Sequence, residues 1–149
     1  MGVAEDLEAR LLAAPPEAWR VRECLVVGWY DGPTEGFCKL ETPGATLHFS
    51  LLEERHNPHG LDDRLFTIRL LPPGTYEVLQ RLFDVEGAEE QLDREMKRAL
   101  SSATPLDLLI STQNWRQVLG CWRKSAYEPV GRSWFETLGI PPPPPEDGG

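Results

Sequence analysis

"WYDGPTEGFCKLETPG", residues 29–44, decides how the chain is read. Its glycines either cradle a phosphate or bend the chain between two strands. A phosphate loop lies between a strand and a helix, so that the first free N–H groups of the helix point at the anion. The stretch "CLVVGWY" before the glycines has the pattern of a strand. After them come "FCKLE", then "TPGA", then "ATLHFSLLE", which alternates with period two and reads as strand again. No Lys-Ser or Lys-Thr pair succeeds the glycines, and Asp31 and Glu35 repel an anion. Asp31-Gly32 and Glu35-Gly36 tolerate positive φ, while Pro33 stiffens the tip between them. The stretch is a hairpin connection.

The next turn predicts a register. Thr42-Pro43-Gly44-Ala45 places Pro and Gly at the two central positions of a type II turn. Tight closure puts Leu40 opposite Leu47, Cys38 opposite Phe49, Lys39 opposite His48 and Glu41 opposite Thr46. That arrangement sorts apolar from polar, which is what specifies register in a half-buried sheet.

The flanking sequence extends the pattern on both sides. Leu7, Leu11 and Ala14 share a face of a helix that Pro15-Pro16 ends. Residues 19–30 alternate, with Trp19, Val21, Leu25, Val27 and Trp29 on one side and Arg20 and Arg22 on the other. Phe66, Ile68 and Leu70 alternate with Thr67 and Arg69. Thr75 can cap a helix whose Tyr76, Leu79, Leu82 and Phe83 face inward. Residues 88–101 form a second helix with a narrow stripe of Leu92, Met96 and Ala99. Its first turn holds Glu89 and Glu90 and its last holds Lys97 and Arg98, as the helix dipole favours. Residues 106–111 read as a fifth strand. Trp115, Val118, Leu119 and Trp122 recur at helical spacing and predict a last helix over 114–125.

The expected fold is α+β: an antiparallel meander sheet of four to five strands with helices packed on one face. Residues 1–140 form a single domain, and the proline-rich residues 141–149 a disordered or polyproline tail.

Composition narrows the function classes. The chain has 149 residues, 40% hydrophobic and 26% charged, which suits one soluble globular domain with a proper core. No apolar run approaches the ~20 residues that span a bilayer, so no membrane partner is expected. The N-terminus is acidic from Glu5 onward, unlike a secretory signal, and Asp6 breaks the myristoylation pattern. Cys24, Cys38 and Cys121 are odd in number and widely spaced, forming neither a disulfide framework nor a metal knuckle. Free buried thiols in a reducing cytoplasm are the expectation, and no cofactor is implied.

Net charge is −9, unevenly spread. Residues 111–134 hold four cations and one acid, which leaves −12 on the remainder. Such asymmetry steers partners more than the total does.

Four constellations are candidates for function. His56, His59 and Asp62 lie in the loop "EERHNPHGLDD" and include metal-ligand types, but His-x-x-His on a loop lacks the geometry of a helical motif. A plain strand connection without metal is expected there. Lys39 and His48, with Arg69 and Tyr30 nearby, mark the polar sheet face, where a lysine beside a histidine would favour a general base. Ser50 is the nucleophile type at hand, and nothing in the sequence orients it. No catalytic residue is assigned.

The third constellation interleaves Trp115, Trp122, Tyr127 and Trp134 with Arg116, Arg123, Lys124 and Arg132. Such a mixture suits stacked bases or a protein hot spot, although the spacing of the tryptophans also fits a core stripe. The net negative charge opposes nucleic acid. The fourth is the acidic helix with Glu86, Glu89, Glu90, Asp93 and Glu95 beside Asp84, a surface complementary to a basic protein.

Because no catalytic set assembles, the sequence points to a small acidic protein-interaction module, of the inhibitor or immunity type, for a basic partner. Its candidate contact residues are Glu86, Glu89, Glu90, Asp93, Trp115, Trp122, Arg123 and Lys124. The alternative is a small metal-dependent or histidine-based hydrolase built on residues 48–63.

Overall fold

A computed structural model describes residues 2–14, 19–42, 44–60, 62–112 and 118–145. Six strands run β1 (Arg20–Trp29), β2 (Pro33–Thr42), β3 (Ala45–Arg55), β4 (Asp63–Leu70), β5 (Thr104–Thr112) and β6 (Gly120–Trp122). Each pairs antiparallel with its neighbour in sequence, so the sheet is a meander of order β1 to β6. The helices are α1 (Val3–Ala13), α2 (Thr75–Phe83), α3 (Glu89–Ser101) and the short α4 (Trp134–Thr137). The α+β class is the one expected, with six strands rather than four to five.

Adjacent residues of β2 show how the layers divide. Cys38 joins Leu40, Leu47, Phe49, Phe66, Ile68 and Leu108 in one core cluster, which α1 covers through Leu7 and Leu11. Phe37 faces the other way and forms a second cluster with Leu71, Tyr76, Leu79 and Ala99, on and around α2 and α3. Helices therefore lie on both faces rather than gathering on one. The apolar Phe37 and Leu25 give the second face a patch that requires its own cover.

The β2–β3 register differs from the predicted one by two residues. Leu40 pairs with Ala45, Lys39 with Thr46, Cys38 with Leu47, Phe37 with His48 and Gly36 with Phe49. An even shift keeps every side chain on its face and changes only its neighbours. Gly36 supplies the reason. A Cβ at that position would stand 2.6 Å from Cζ of Phe49, so the buried ring occupies the space the glycine leaves. Turn chemistry yields here to core packing.

In β1, register irregularities between Val21 and Glu23 and between Val26 and Gly28 break the simple alternation. Trp19 is buried, its Nε1–H donating to the Leu11 carbonyl at 3.2 Å, which ties the start of the sheet to α1. Val27 and Trp29, expected on the same inner side, are exposed instead.

The helix expected over 114–125 gives way to β6 and a 3-10 turn (Lys124–Ala126) in the described part, and Trp115 lies outside the described residues. β6 pairs Ser111 with Gly120, Ile110 with Cys121 and Leu109 with Trp122. A glycine costs a helix interior about 1 kcal/mol relative to alanine. In the strand, the same Gly120 makes room for the Trp122 ring, whose Cζ3 would lie 2.9 Å from a Cβ there. Positions 118 and 122 match both the helical and the strand period, which is why spacing misleads here.

Two carboxylates tie distant segments to the sheet. On α1, Glu8 accepts from the Asp107 backbone N–H of β5 at 2.7 Å and from Arg123 at 3.3 Å. On β3, Glu53 accepts from the Ser133 hydroxyl at 2.6 Å and from the Trp134 and Phe135 N–H groups at 3.2 and 3.3 Å. It thereby satisfies free amides at the start of α4. Phe135 is buried beneath the Arg55 guanidinium, 4.5 Å from its ring centroid.

Candidate functional site

The glycine-rich hairpin holds a cation of its own chain. Arg64, 2% exposed, donates to the carbonyls of Tyr30 at 2.5 Å, Pro33 at 2.8 Å and Asp31 at 3.2 Å, and pairs with Glu54 at 3.0 Å. Asp31 (φ 52) and Gly32 (φ 133) take the positive-φ conformations that turn these carbonyls inward. The connection is a guanidinium clamp on a β-hairpin, and Arg64 is a buried functional group of the fold that sequence reading did not single out.

The histidines have separate partners. His48 is buried in mid-sheet, with Nε2 2.8 Å from Glu35 and its ring 5.2 Å from that of Phe37. It does not face Lys39, because the register places Phe37 and Arg69 across from it. Burial lowers its pKa below the ordinary imidazole value, against a raising effect of the Glu35 hydrogen bond. The neutral ring donates from Nε2 to Glu35, and Nδ1 is buried without a partner among the described residues. Ser50 lies opposite Glu35 and Thr67, its carbonyl accepting from the Thr67 hydroxyl at 3.4 Å. Lys39 instead forms an ion pair with Glu77 of α2, whose pKa that hydrogen bond lowers.

In the β3–β4 loop, His56 contacts Asp62 at 3.2 Å and is exposed, while His59 donates to the Pro144 carbonyl at 2.8 Å. Among the described residues no group of three or more His, Cys, Asp or Glu is placed to hold a metal ion.

The aromatic and basic C-terminal candidates are likewise dispersed. Trp122 is half-buried over Gly120. Arg123 lies 3.3 Å from Glu8 and 3.5 Å from Asp107, and Lys124 is half-buried at the start of the 3-10 turn. Asp107 also accepts from the Ser125 N–H at 2.8 Å, and its hydrogen bonds to Ser125 and Arg123 hold its pKa low. Arg123 is thus engaged with acids of its own chain.

The acidic candidates fall in the elbow between α2 and α3 and on the first turns of α3. Tyr76 and Leu79 anchor α2 in the second core, and Ala99, with Leu92 and Met96 packed against the same cluster, anchors α3. Between the helices, Val85 N–H bonds to the Leu82 carbonyl at 3.2 Å and Ala88 N–H to that of Val85 at 3.3 Å. Gly87 completes the turn at φ 86. The α2 helix ends at Phe83, so this ring, expected to face inward, is 42% exposed, and Val85 beside it is 53% exposed.

The same segment carries Asp84, Glu86, Glu89, Glu90 and Asp93, with no cation in residues 83–93. Asp84, Glu86, Glu89, Glu90 and Asp93 are all exposed. Asp93 pairs with Lys97 at 3.0 Å. Asp84, Glu86, Glu89 and Glu90 form no ion pair among the described residues. The segment thus exposes two apolar side chains along a stretch rich in carboxylates.

A cavity of about 650 Å³ opens between α1, the β2–β3 turn and the start of α2, lined in part by Leu7, Arg10, Lys39, Leu71 and Glu77. Among the described residues, no helix is long and apolar enough to cross a membrane. No protein-family model, curated protein or solved structure matches this chain.

Proposed function

We propose that this protein is an interaction module that docks a basic protein partner on the α2–α3 elbow. The observation that carries the reading is the exposure of Phe83 and Val85 amid five carboxylates on a hydrogen-bonded turn. Buried aromatic anchors dominate interface energies, and a charged rim excludes wrong partners and speeds the encounter. An inhibitor or immunity-type protein of cytoplasmic location, neutralising a basic enzyme, is the specific form we favour. The alternative, a metal-dependent or histidine-based hydrolase built on residues 48–63, would draw on His48, and the burial of His48 argues against its meeting a substrate.

The test places a photo-crosslinking residue at Val85 and, as a control, at Val130, which is 90% exposed on another segment. A basic protein captured at 85 and not at 130 is the expected result. Its association with the purified chain should slow with added salt. The variant Glu86→Lys, Glu89→Lys, Glu90→Lys, Asp93→Lys should lose that salt dependence and the partner together. Retention of the same partner by the reversed protein overturns the reading.

A further inference from the structure

Five consecutive prolines, 141–145, follow Ile140, and the elbow makes no use of them. Each ring fixes its own φ, and each residue from 140 to 144 precedes a proline and is pushed into the extended region. The outcome is a polyproline II helix, with three residues per turn. Pro141 and Pro144 are one turn apart, so their carbonyls lie along the same edge. Both are held: Arg55 donates to Pro141 at 3.0 Å and to Ile140 at 3.3 Å, and His59 donates to Pro144 at 2.8 Å. Arg55 is itself fixed by Asp63 at 2.8 Å and by the face of Phe135.

The second edge of the prism carries Pro142 and Pro145; these two, like Pro141 and Pro144, are exposed, while Pro143 on the third edge is half-buried. The tract is held by its carbonyls, to Arg55 at the end of β3 and His59 in the β3–β4 loop, while four of its five prolines stay exposed.

We propose that residues 140–145 are a displayed ligand for a domain with an aromatic-lined proline groove. The chemistry of the tract defines that partner. Proline offers ring faces and a carbonyl but no N–H, so the groove must supply aromatic slots and donors such as indole N–H or phenol O–H. Glu146 and Asp147 come directly after the tract in the sequence, so a cation belongs at the C-terminal side of that groove. A tract already held in its bound conformation loses little conformational entropy on docking, and binds better than the same sequence free in solution.

The test titrates the isotope-labelled full-length protein separately with an SH3, a WW and an EVH1 domain. At least one should bind with Kd on the order of 10–100 μM, shifting amide signals of the β3–β4 loop. The variant Pro142→Ala, Pro145→Ala, altered only at exposed positions, should keep the melting temperature and bind about tenfold more weakly or worse. A synthetic peptide of residues 139–149 should bind the same domain several-fold more weakly than the intact chain. No binding by any of the three at about 1 mM, or undiminished binding by the double variant, overturns the proposal. A peptide that binds as tightly as the protein overturns the display argument.

Discussion

The ring of Phe49 lies across β2 at Gly36, in the space that any side chain at position 36 would occupy. Gly36→Ala should therefore destabilise by about 1–3 kcal/mol through overpacking, although alanine suits a strand no worse than glycine. Phe49→Ala should cost about 3–5 kcal/mol as a cavity. Removing the ring lifts its part of the clash, while the Leu25 carbonyl oxygen still crowds the same Cβ, so the double variant should cost somewhat less than the sum of the two. Urea denaturation of the three variants checks this, and strict additivity would mean that the ring does not depend on the glycine.

The Arg64 clamp predicts a failed conservative substitution. Lysine has a single ammonium in place of the planar fork that reaches three carbonyls. Arg64→Lys should lower stability by about 1.5–3 kcal/mol, the range for losing hydrogen bonds to a charged group. Hydrogen exchange at the Tyr30 amide, which bonds to the Gly32 carbonyl at 2.9 Å, should accelerate more than exchange in α3. Uniform acceleration would place the effect elsewhere than in the hairpin.

His48 predicts a pH dependence with a definite sign. Its pKa is lowered in the folded state, chiefly by burial, so the unfolded chain binds the proton first as pH falls. Stability is then fully present above the unfolded value of about 6.5 and declines as pH drops from there through the lowered folded value. The lowered carboxylates of Glu77 and Asp107 lose their contribution only at more acid pH, as pH falls from the ordinary carboxylate value through their folded values. His48→Gln, which can keep a donor toward Glu35, should flatten the slope just below about pH 6.5, before the carboxylates begin to titrate. An unchanged slope in that variant would assign the dependence to another group.

The elbow predicts a separation of stability from binding. Val85→Ser removes an exposed side chain and should change stability by no more than about 0.5 kcal/mol. Tyr76→Ala and Leu79→Ala, in the core beneath it, should each cost about 2–5 kcal/mol. With the crosslinked partner in hand, Val85→Ser should weaken the complex by about tenfold, as truncation of an interface anchor does. Thermal melts and surface-based binding kinetics together distinguish the two effects.

Much of this architecture is legible along the chain, and particular residues show where legibility ends. Phe66 and Ile68 alternate with Thr67 and Arg69, and the period-two signal marks β4 without help from tertiary contacts. The β2–β3 register is not local information. Pro43-Gly44 proposes one closure, and the fit of Phe49 into Gly36 selects another two residues away. Val118 and Trp122 satisfy two periods at once, so only pairing with β5 decides between helix and strand. The acidic residues of the elbow are visible in the sequence, but the exposure of Phe83 depends on α2 stopping at that residue. Arg64 is invisible as a clamp because the hairpin groups it holds are backbone carbonyls, which carry no sequence signature.

The contacts of Glu8 bear on the order in which the chain assembles. During synthesis α1 leaves the ribosome before any strand, and each hairpin of the meander can zip as soon as its second strand emerges. Glu8 must wait for the Asp107 amide, 99 residues later, and for Arg123, 115 residues later. This helix, made before the sheet, is thus docked fully only after it. Until then the apolar face of β2 to β4 stands uncovered by α1, which makes a nascent chain short of residue 123 the form most in need of a chaperone.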